Sequence, residues 1–450
     1  MTDLSAIVKA YDVRGVVPEQ LDARIARALG AAFARFTGAA TVVMARDMRD
    51  SGVELSRAFA EGVTAQGVDV VDAGLGSTDL LYFAAGSMGV PGAMFTASHN
   101  PAKYNGIKLC LAGARPVGQD TGLAQVRADA ERFLDEGVPS TGSGSVTEQA
   151  LLPAYAKHVR GLVPGLDGMR PLNVVVDAGN GMGGYTVPAC LDGLPLEVVP
   201  MYFELDGSFP NHEANPIEPD NVRDLQAKVV ETGADLGLAF DGDADRCFVI
   251  DEKGGIVSPS TLTALIAARE LARVPGSVVI HSLITSRSVP EVVREHGGTP
   301  VRTRVGHSFI KSEMAAHDAV FGGEHSGHFY FRDFWNADSG MLAALHTLAA
   351  LGEQPLPLSA LLSEYDRYAV SGEINSVVND TASKLDELAT RYAESPQDEM
   401  DGLTVDLGDG AWFNVRPSNT EPLLRLNVEA RDEGTMAATR DAVLAVIRSR

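Results

Sequence analysis

The stretch TVVMARDMRDSGVELSRAFAEGV, residues 41–63, decides the fold class of this chain. A short run rich in β-branched residues leads into a polar turn and then into a segment with apolar residues at helical spacing. The same order returns in LNVVVDAGNGMGG (172–184) and in SVVIHSLITSRSVPEVVREHGG (277–298). Strands that alternate with helices indicate α/β layers with mainly parallel sheets. Ser51 and Glu54 fit a capping box at the start of the first of these helices.

The pattern changes after LGEQPLPLSA (351–360). Beyond it, GEINSVVND predicts a strand, SKLDELATRYA predicts a helix, and LTVDLGDGAWFNVRPS predicts two strands joined at a glycine turn. The segment TMAATRDAVLAVIRS predicts a closing helix. We therefore expect three α/β units followed by one smaller α+β unit.

Length, charge and cysteine content limit the possible functions. A chain of 450 residues exceeds what one hydrophobic core usually supports, which agrees with several domains. The net charge of −23 argues against nucleic-acid and membrane partners. No apolar run reaches the roughly 18 residues that span a bilayer. Cys110, Cys190 and Cys247 show neither disulfide-type nor metal-binding spacing, so we expect reduced thiols in a cytoplasmic protein. Nothing in the sequence fixes an oligomeric state.

Three carboxylates on alternate positions follow an apolar run in LAFDGDADRCFVI (238–250). On one face of a regular strand Asp241, Asp243 and Asp245 would repel one another, so we expect a loop bent around a cation. Oxygen ligands without nitrogen or sulfur suit a hard cation, and Mg²⁺ best. An EF-hand is disfavoured because Arg246 stands where that loop requires glycine. A solvated acidic turn is the remaining alternative.

Polar groups also follow apolar runs in three other places. TASHNPAKYNGIKL (96–109) places a serine and a histidine directly after a run that reads as a buried strand. FGGEHSGHFYF (321–331) holds carboxylate and hydroxyl groups in a glycine-rich turn, where they can bond to vicinal sugar hydroxyls. NVRPSNTEP (414–422) offers a guanidinium, hydroxyls and loop N–H groups. These groups suit a phosphate, although the same residues also fit a simple N-cap turn.

Four motifs, TASHNP, DGDADR, GEHSGH and RPSNTEP, occur in this order between positions 96 and 422. Together they resemble the α-D-phosphohexomutase superfamily, and within it the bacterial phosphomannomutase/phosphoglucomutase group. The resemblance implies three similar mixed α/β domains plus a C-terminal α+β domain of TATA-binding-protein-like fold, set around a central cleft. The implied domains are 1–148 with the phosphoserine loop, 149–253 with the metal loop, 254–366 with the sugar-binding loop and 367–450 with the phosphate-binding loop.

The resemblance also implies roles for individual residues. Ser98 is implied to carry a phosphoryl group and to bind Mg²⁺ together with Asp241, Asp243 and Asp245. The residues implied to surround the transferred phosphate are Arg14, His99, Lys108 and Arg246. The residues implied to contact the sugar and its non-reacting phosphate are Glu324, Ser326, His328, His307, Arg416, Ser418, Asn419 and Thr420. Lys108 is in addition a candidate proton shuttle.

The implied reaction interconverts mannose 6-phosphate and mannose 1-phosphate, with glucose phosphates as further candidate substrates. The phosphoryl group passes from the serine to the sugar and returns by way of a hexose 1,6-bisphosphate, which also serves as activator. A glucosamine-type mutase and a Mg²⁺-dependent sugar-phosphate phosphatase are the alternatives. The chain departs from many relatives at Leu283, where they carry a lysine, and Arg287 is a candidate replacement for that lysine.

Overall fold

A computed structural model describes residues 2–418 and 423–449 of the chain. The chain divides into two compact units, one formed by Met1–Val257 with Ser326–Leu361 and the other by Ser258–His325 with Leu362–Arg450. Over the described ranges, no helix combines the length and the apolar character needed to cross a membrane. The three cysteines are buried and carry no disulfide.

The first sheet of the first unit is built from short runs of β-branched and small apolar residues. Its strands are β1 (Val13–Val16), β2 (Thr41–Arg46), β3 (Asp69–Leu75), β4 (Gly92–Phe95), β5 (Tyr104–Leu111), β6 (Arg115–Pro116) and β7 (Val146–Glu148). They lie in the order β1-β5-β4-β2-β3-β7, with β6 beside β5. The pairs β2–β3, β2–β4 and β3–β7 are parallel, whereas β5 runs antiparallel to β4 and β1.

Four helices accompany this sheet: α1 (Ala23–Thr37), α2 (Asp50–Thr64), α3 (Thr78–Met88) and α4 (Leu123–Glu136). Helices α1 and α2 cross closely because Gly30 and Gly62 carry no side chain at the crossing. A Cβ on Gly30 would lie 2.2 Å from the carbonyl oxygen of Phe59, and one on Gly62 would lie 2.0 Å from that of Arg27. Leu29, Phe33 and their neighbours on α1 thereby reach the core beneath the sheet.

The predicted capping box at the start of α2 is wrong. The helix begins at Asp50, and its N-cap residue, Arg49, makes no side-chain capping bond. The hydroxyl of Ser51 instead accepts a hydrogen bond from the side-chain amide of Asn105, at 2.9 Å. The hydroxyl that would cap the helix therefore contacts strand β5 instead.

The second sheet of the first unit repeats the design of the first. Its strands are β8 (Leu172–Asp177), β9 (Leu196–Met201), β10 (Leu236–Phe240), β11 (Cys247–Asp251) and β12 (Ile256–Val257), in the order β12-β11-β10-β8-β9. The helices are α5 (Leu152–Leu162), α6 (Gly183–Leu191) and α7 (Arg223–Thr232). Strand β8 is parallel to β9 and β10, and β11 runs antiparallel to β10.

A third set of elements begins in the second unit. It comprises α8 (Pro259–Arg273), β13 (Val278–Ser282), α9 (Ser288–Glu295), β14 (Thr299–Thr303), α10 (His307–His317) and β15 (Phe321–Gly323). Strand β13 is parallel to both β14 and β15. Next along the chain come β16 (Phe329–Phe331), β17 (Ala337–Asp338), α11 (Gly340–Gly352) and α12 (Leu358–Leu362). Strands β16 and β17 form an antiparallel pair in the first unit.

One order of elements occurs three times along the chain: strand, helix, strand, helix, strand, loop, strand. The three runs are β2-α2-β3-α3-β4-loop-β5, β8-α6-β9-α7-β10-loop-β11 and β13-α9-β14-α10-β15-loop-β16. In each run the loop before the last strand carries one of the polar motifs, first TASHNP, then DGDADR and then EHSGH. The fold therefore gives three of the four motifs equivalent places.

The last set of elements lies in the second unit and is built differently. It consists of β18 (Ala369–Val370), β19 (Ile374–Val377), α13 (Thr381–Arg391), β20 (Gln397–Asp398), β21 (Leu403–Gly408), β22 (Ala411–Pro417), β23 (Leu423–Ala430) and α14 (Glu433–Ile447). The strands are antiparallel, in the order β18-β23-β22-β21-β20, with β19 also paired to β23. The predicted strands and helices of this region are confirmed.

Candidate active site

Ser98 lies in the loop between the antiparallel strands β4 and β5, directly after a fully buried strand. Its φ of 50° is left-handed, which costs a non-glycine residue roughly 1–2 kcal/mol. The backbone N–H of Ser98 donates to Oγ1 of Thr96 at 2.8 Å, which holds this conformation. The serine is 6% exposed, so the loop presents its hydroxyl from a nearly buried position.

The hydroxyl of Ser98 points at the aspartate loop. Its Oγ donates to Oδ2 of Asp241 at 3.0 Å and lies 3.1 Å from Nδ1 of His99. A serine hydroxyl is a weak nucleophile that needs activation or a preloaded group. The contacts with a carboxylate and an imidazole provide the partners for such chemistry.

Residues 241–246 connect β10 to β11 outside any regular strand, as the alternating carboxylates predicted. Asp241, Asp243 and Asp245 are each no more than 1% exposed, and one oxygen of each lies within 4.8 Å of the others. Ala244 between them adopts a φ of 57°, which bends the loop. The loop therefore concentrates three carboxylates at one buried point.

Cations and a hydroxyl neutralise this cluster in part. The ammonium of Lys108, on β5, lies 2.7 Å from Oδ2 of both Asp243 and Asp245. The guanidinium of Arg246 donates through Nε to Oδ2 of Asp241 at 2.9 Å. The hydroxyl of Thr78, at the start of α3, donates to Oδ2 of Asp243 at 2.6 Å.

Burial and these charges shift the pKa values of the cluster. Burial raises the pKa of Asp241 above its usual range, against the opposing charge of Arg246. Burial would also raise the pKa of Asp243, but the ammonium of Lys108 and the hydroxyl of Thr78 bring it far below the usual value. The same ammonium has a raised pKa because Asp243 and Asp245 outweigh its own burial. Burial, Arg246 and Arg14 lower the pKa of His99 to about 2, so its imidazole is neutral.

The aspartate cluster has the donor set of a site for a hard cation. Among the described residues, Oδ1 of Asp243 and Oδ1 of Asp245 are buried oxygens without a hydrogen-bond donor. Buried carboxylate oxygens of this kind are costly unless a cation or donor meets them. A cation held by Asp241, Asp243 and Asp245 would satisfy both, and oxygen-only ligation suits Mg²⁺.

Other predicted residues of the first unit lie around this cluster. Arg14, on β1, donates to Oδ1 of Asn100 at 2.9 Å and to Asp12 at 2.7 Å, and so contacts the serine loop. Nε2 of His328 lies 3.7 Å from Oδ1 of Asp245, and its Nδ1 lies 2.9 Å from the hydroxyl of Ser326. The first unit thus brings together the predicted residues of the TASHNP and DGDADR motifs with part of GEHSGH.

The second unit holds the remaining predicted residues that the structure describes. Oε1 of Glu324 accepts from the backbone N–H of Gly306 at 2.9 Å, next to His307, the first residue of α10. Arg416, at the end of β22, donates to Oε2 of Glu373 at 2.7 Å. Glu324 is thereby fixed beside His307.

Glu373 also contacts a second arginine and a histidine whose pKa is lowered by burial. Arg425 donates to its other oxygen, Oε1, at 3.0 Å, and Nε2 of His325 lies 3.8 Å from Oε2. The backbone N–H of Ser418 donates to the carbonyl of Leu423 at 2.9 Å. The predicted residues Asn419 and Thr420 lie outside the described residues. The described part of the RPSNTEP motif therefore begins beside two arginines that share the carboxylate of Glu373.

Leu283, the departure from the family pattern, belongs to a small apolar cluster with Ile284 and Trp412. Arg287, the candidate replacement for the lysine, forms an ion pair with Asp406 at 2.9 Å. Its backbone N–H donates to Oε1 of Glu429. Leu283 therefore makes an apolar contact, and the guanidinium of Arg287 is already paired.

Several neighbours of the site were missed in the sequence. Thr78, Asp47 and Arg49 belong to no recognised motif, and Thr96 lies within TASHNP but was given no role. Each of the four stands directly after a buried strand or at a helix start. Glu373 follows a glycine and gives no signal at all. Position at the end of a strand is the one feature that could have drawn attention to Asp47 and Arg49.

Models of four domains of one family match the chain in order. They are the phosphoglucomutase/phosphomannomutase alpha/beta/alpha domain I (residues 5–132), domain II (153–255), domain III (258–368) and C-terminal domain (373–446). These matches confirm the predicted fold class, with three α/β domains followed by a different C-terminal domain.

Individual relatives agree with the family models. A phosphomannomutase of Salmonella typhimurium is 39% identical over 99% of this chain and 99% of its own length. A protein of Xanthomonas campestris described as phosphohexose mutases is 40% identical over 96% of both chains. A crystal structure of a phosphoglucomutase/phosphomannomutase family protein from Burkholderia thailandensis, 34% identical, matches with a TM-score of 0.88. That match covers 100% of this chain and 98% of the other.

Proposed function

The chain belongs to the phosphoglucomutase/phosphomannomutase family, and we propose that it interconverts mannose 6-phosphate and mannose 1-phosphate through a phosphorylated Ser98. The observation that carries this proposal is the hydroxyl of Ser98 at 3.0 Å from Asp241, within a cluster of three buried aspartates. Glucose phosphates are further candidate substrates, since mannose and glucose differ at a single hydroxyl.

The proposed reaction moves one phosphoryl group in each of two steps. In the first, the free hydroxyl of the sugar phosphate attacks phosphorus and loses its proton, and the bond between phosphorus and Oγ of Ser98 breaks as Oγ gains a proton. The product is a hexose 1,6-bisphosphate. In the second step, the hydroxyl of Ser98 attacks the other phosphoryl group and loses its proton, and the bond between that phosphorus and the sugar oxygen breaks as the sugar oxygen gains a proton. The protein ends as it began, and the substrate is isomerised.

In this scheme, cationic side chains neutralise the negative charge that develops on the phosphate oxygens. Phosphoryl transfer depends mainly on position and on neutralising charge on the phosphate oxygens. Arg246 is bound to the same carboxylate oxygen as the hydroxyl of Ser98, and Arg14 contacts the serine loop through Asn100. Lys108, with its ammonium between two aspartates, is the proposed proton shuttle for the sugar hydroxyl.

We assign the metal site to Asp241, Asp243, Asp245 and an oxygen of phosphorylated Ser98. The partnerless oxygens of Asp243 and Asp245 support this assignment. When bound there, Mg²⁺ would neutralise charge on the phosphoryl oxygens as a Lewis acid. The loop residues hold the three carboxylates in place for it, and Thr78 fixes Asp243 by its hydrogen bond.

Recognition of the sugar and of the non-reacting phosphate is assigned to the other predicted residues. Carboxylate and hydroxyl groups of the GEHSGH motif, on Glu324 and Ser326, suit sugar hydroxyls, and we assign His328 and His307 to the same task. The guanidinium of Arg416 with Ser418, Asn419 and Thr420 suits a phosphate. Because the bisphosphate must present both ends to Ser98, these groups have to accept either orientation.

The remaining predictions are part of the same proposal. We place the domains at 1–148, 149–253, 254–366 and 367–450, and the protein in the cytoplasm with hexose phosphates as its small-molecule partners. Hexose 1,6-bisphosphate is the proposed activator, because it can load Ser98.

The first test is the substitution Ser98→Ala. Purified wild-type protein, treated with hexose 1,6-bisphosphate and Mg²⁺, is expected to carry one phosphoryl group on Ser98 by peptide mass mapping. The Ser98→Ala variant should carry none and should lose mutase activity roughly 1,000-fold or more, because no other group stores the phosphoryl. Its thermal unfolding should match the wild type. Full activity of Ser98→Ala would disprove the mechanism.

A coupled assay separates the proposed reaction from its alternatives. Mannose, glucose and glucosamine phosphates are offered in turn, with a catalytic trace of bisphosphate, and both sugar-phosphate interconversion and free phosphate are measured. The mutase gives interconversion with little phosphate release. Release of phosphate without interconversion would show a phosphatase, and a preference for glucosamine phosphate would change the assigned substrate.

A further inference from the structure

A buried guanidinium lies directly beneath the serine loop. Arg49 follows β2 and stands at the N-cap position of α2, and it is 2% exposed. A buried charge of this kind is costly unless its donors are met by partners. The partners of Arg49 therefore indicate what it does.

All five N–H donors of the Arg49 guanidinium are used, and four of them go to backbone carbonyls of one loop. Nη2 donates to Ser98 O at 2.9 Å and to Asn100 O at 2.6 Å. Nη1 donates to Pro101 O at 3.1 Å and to Tyr104 O at 3.0 Å. One planar group thus spans the loop from Ser98 to the first residue of β5.

Asp47 fixes the guanidinium from the other side. Its Oδ2 accepts from Nε of Arg49 at 3.2 Å, and its Oδ1 accepts from the backbone N–H of Arg49 at 3.0 Å. The backbone N–H of Asp47 donates to the carbonyl of Phe95, the last residue of β4, at 2.9 Å. The ring of Phe209 covers the guanidinium, with its centroid 5.1 Å from Cζ of Arg49. The pair is therefore anchored to the strand from which the serine loop departs.

We infer that Arg49, oriented by Asp47, is a positioning residue that holds the serine loop in the shape that aims the hydroxyl of Ser98 at Asp241. Both peptide groups of Ser98 are then fixed, the N–H by Thr96 and the carbonyl by Arg49. This double restraint keeps the left-handed backbone of Ser98, which a serine would otherwise leave. The inference rests on the proposed transfer through Ser98 and adds the residue that sets its geometry.

A lysine cannot replace this arginine. The guanidinium is a rigid plane with five donors that point in fixed directions, whereas an ammonium has three donors on one nitrogen. The Arg49→Lys variant keeps the charge that Asp47 needs but cannot reach four carbonyls spread from residue 98 to residue 104. The substitution therefore removes the hydrogen bonds to the loop carbonyls and keeps the positive charge beside Asp47.

Hydrogen exchange and kinetics together test the inference. In Arg49→Lys, and in Arg49→Met as a second variant, backbone amides of residues 96–104 should exchange several-fold faster than in the wild type. Amides of β8 should not change. With mannose 1-phosphate and Mg²⁺, kcat should fall about 100-fold and KM should stay within about twofold, because the sugar contacts are kept and the reacting atom is misplaced.

Arg170→Lys is the matched control. Arg170 also donates to backbone carbonyls, those of Gln354 and Pro171, and pairs with Asp235 at 3.1 Å, but it contacts no residue of the serine loop. This variant should keep both the exchange of residues 96–104 and kcat. A fall in kcat for Arg170→Lys equal to that of Arg49→Lys would show a general effect of lost stability and overturn the inference.

The exchange result stands apart from activity. Unchanged exchange of residues 96–104 in the Arg49 variants, or a kcat within about twofold of the wild type, would overturn the inference while phosphorylation of Ser98 in the wild type still supports the proposed function. If those amides exchange faster in the Arg49 variants but the wild-type protein never phosphorylates Ser98, the proposed function is overturned and Arg49 remains the residue that shapes this loop.

Discussion

Gly242 lets the aspartate loop approach the serine loop. A Cβ at this position would lie 2.4 Å from the carbonyl oxygen of Ser98, which is closer than two unbonded atoms can come. That same carbonyl accepts a hydrogen bond from Arg49, so it has little freedom to move aside. The distance between Ser98 and Asp241 thus depends on a residue that takes no part in the chemistry.

The substitution Gly242→Ala is expected to separate the two loops. Because a displacement of about 1 Å can cost roughly 100-fold in rate, kcat for mannose 1-phosphate should fall by about 10- to 100-fold. Gly161→Ala is the control, since Gly161 lies in helix α5 and has open space around its Cβ position. That variant should keep its activity. Equal kcat values for Gly242→Ala and wild type would show that the two loops accommodate the added Cβ without moving apart.

At the residue scale, the sequence predicted residues whose side-chain type suggests a chemical role. It missed the residues that act by binding backbone groups. The three aspartates are recognisable because their type and spacing suit a cation, and Ser98 is recognisable because its motif resembles that of a known family. Arg49 acts on carbonyl groups, which every residue has, so nothing in the sequence of the loop shows that it needs a guanidinium. The role of Glu373 depends on two arginines that β22 and β23 bring together, and only the pairing of those strands reveals it.

At the scale of elements, Asp79 connects three helices of the first unit. One of its oxygens accepts from Ser77, the N-cap of α3. The other accepts from Tyr155 of α5 at 2.7 Å and from Ser339, the N-cap of α11, at 2.6 Å. Burial raises the pKa of Asp79 to about 6 despite these donors. The neighbour of Asp79 is Thr78, which holds Asp243, so this junction supports the aspartate loop.

Asp79 should make stability fall as pH rises. The folded protein holds the proton up to about pH 6, whereas the unfolded chain releases it near pH 4, so the contribution is complete below pH 4 and is lost through pH 6. Between pH 5 and pH 8 the wild type should lose about 1 kcal/mol more of its unfolding free energy than Asp79→Asn does. Urea denaturation of both proteins at fixed Mg²⁺ measures this. Parallel pH curves would contradict the shifted pKa.

Periodicity predicted the elements, but not the contacts at their ends. Ser51 shows the limit, because its hydroxyl meets Asn105 of β5 instead of capping its own helix. Local spacing cannot show which neighbour a side chain will find, since that depends on strand order. The order β5-β4-β2 follows from hydrogen bonding between segments far apart in sequence.

At the scale of the whole molecule, the proposed roles divide between the two compact units. Ser98, Lys108 and the aspartates belong to the first unit, and Arg416 and Glu324 belong to the second. The first three domains were predicted to be similar. Their strands and helices follow the same order along the chain, which explains the similarity. The third set of elements is divided between the two units. The sequence does not show this division, because it depends on packing density and not on the pattern of apolar residues.

This division predicts different kinetic effects for variants of the second unit. Arg416→Ala removes a charge-assisted contact that we assign to the non-reacting phosphate, and such contacts contribute about 1.5–3 kcal/mol. KM for mannose 1-phosphate should rise about 10- to 100-fold with a smaller change in kcat. Phosphorylation of Ser98, measured by peptide mass mapping at saturating bisphosphate, should persist.

The control for Arg416→Ala is Arg367→Ala. Arg367 is also an arginine of the second unit, paired with Glu295, and its loss should leave KM unchanged. An unchanged KM in Arg416→Ala would show that the guanidinium supports the β22–β23 pair through Glu373 and does not bind phosphate.

The threefold order of elements has a consequence for how this chain can change over time. Each of the three motifs is a loop between two successive strands, so a substitution in one loop leaves the strands themselves unchanged. Under the proposed function, one such loop carries the phosphoryl group, a second holds the metal and a third recognises the sugar. Different roles of this kind require different sequences in three short loops and no new fold.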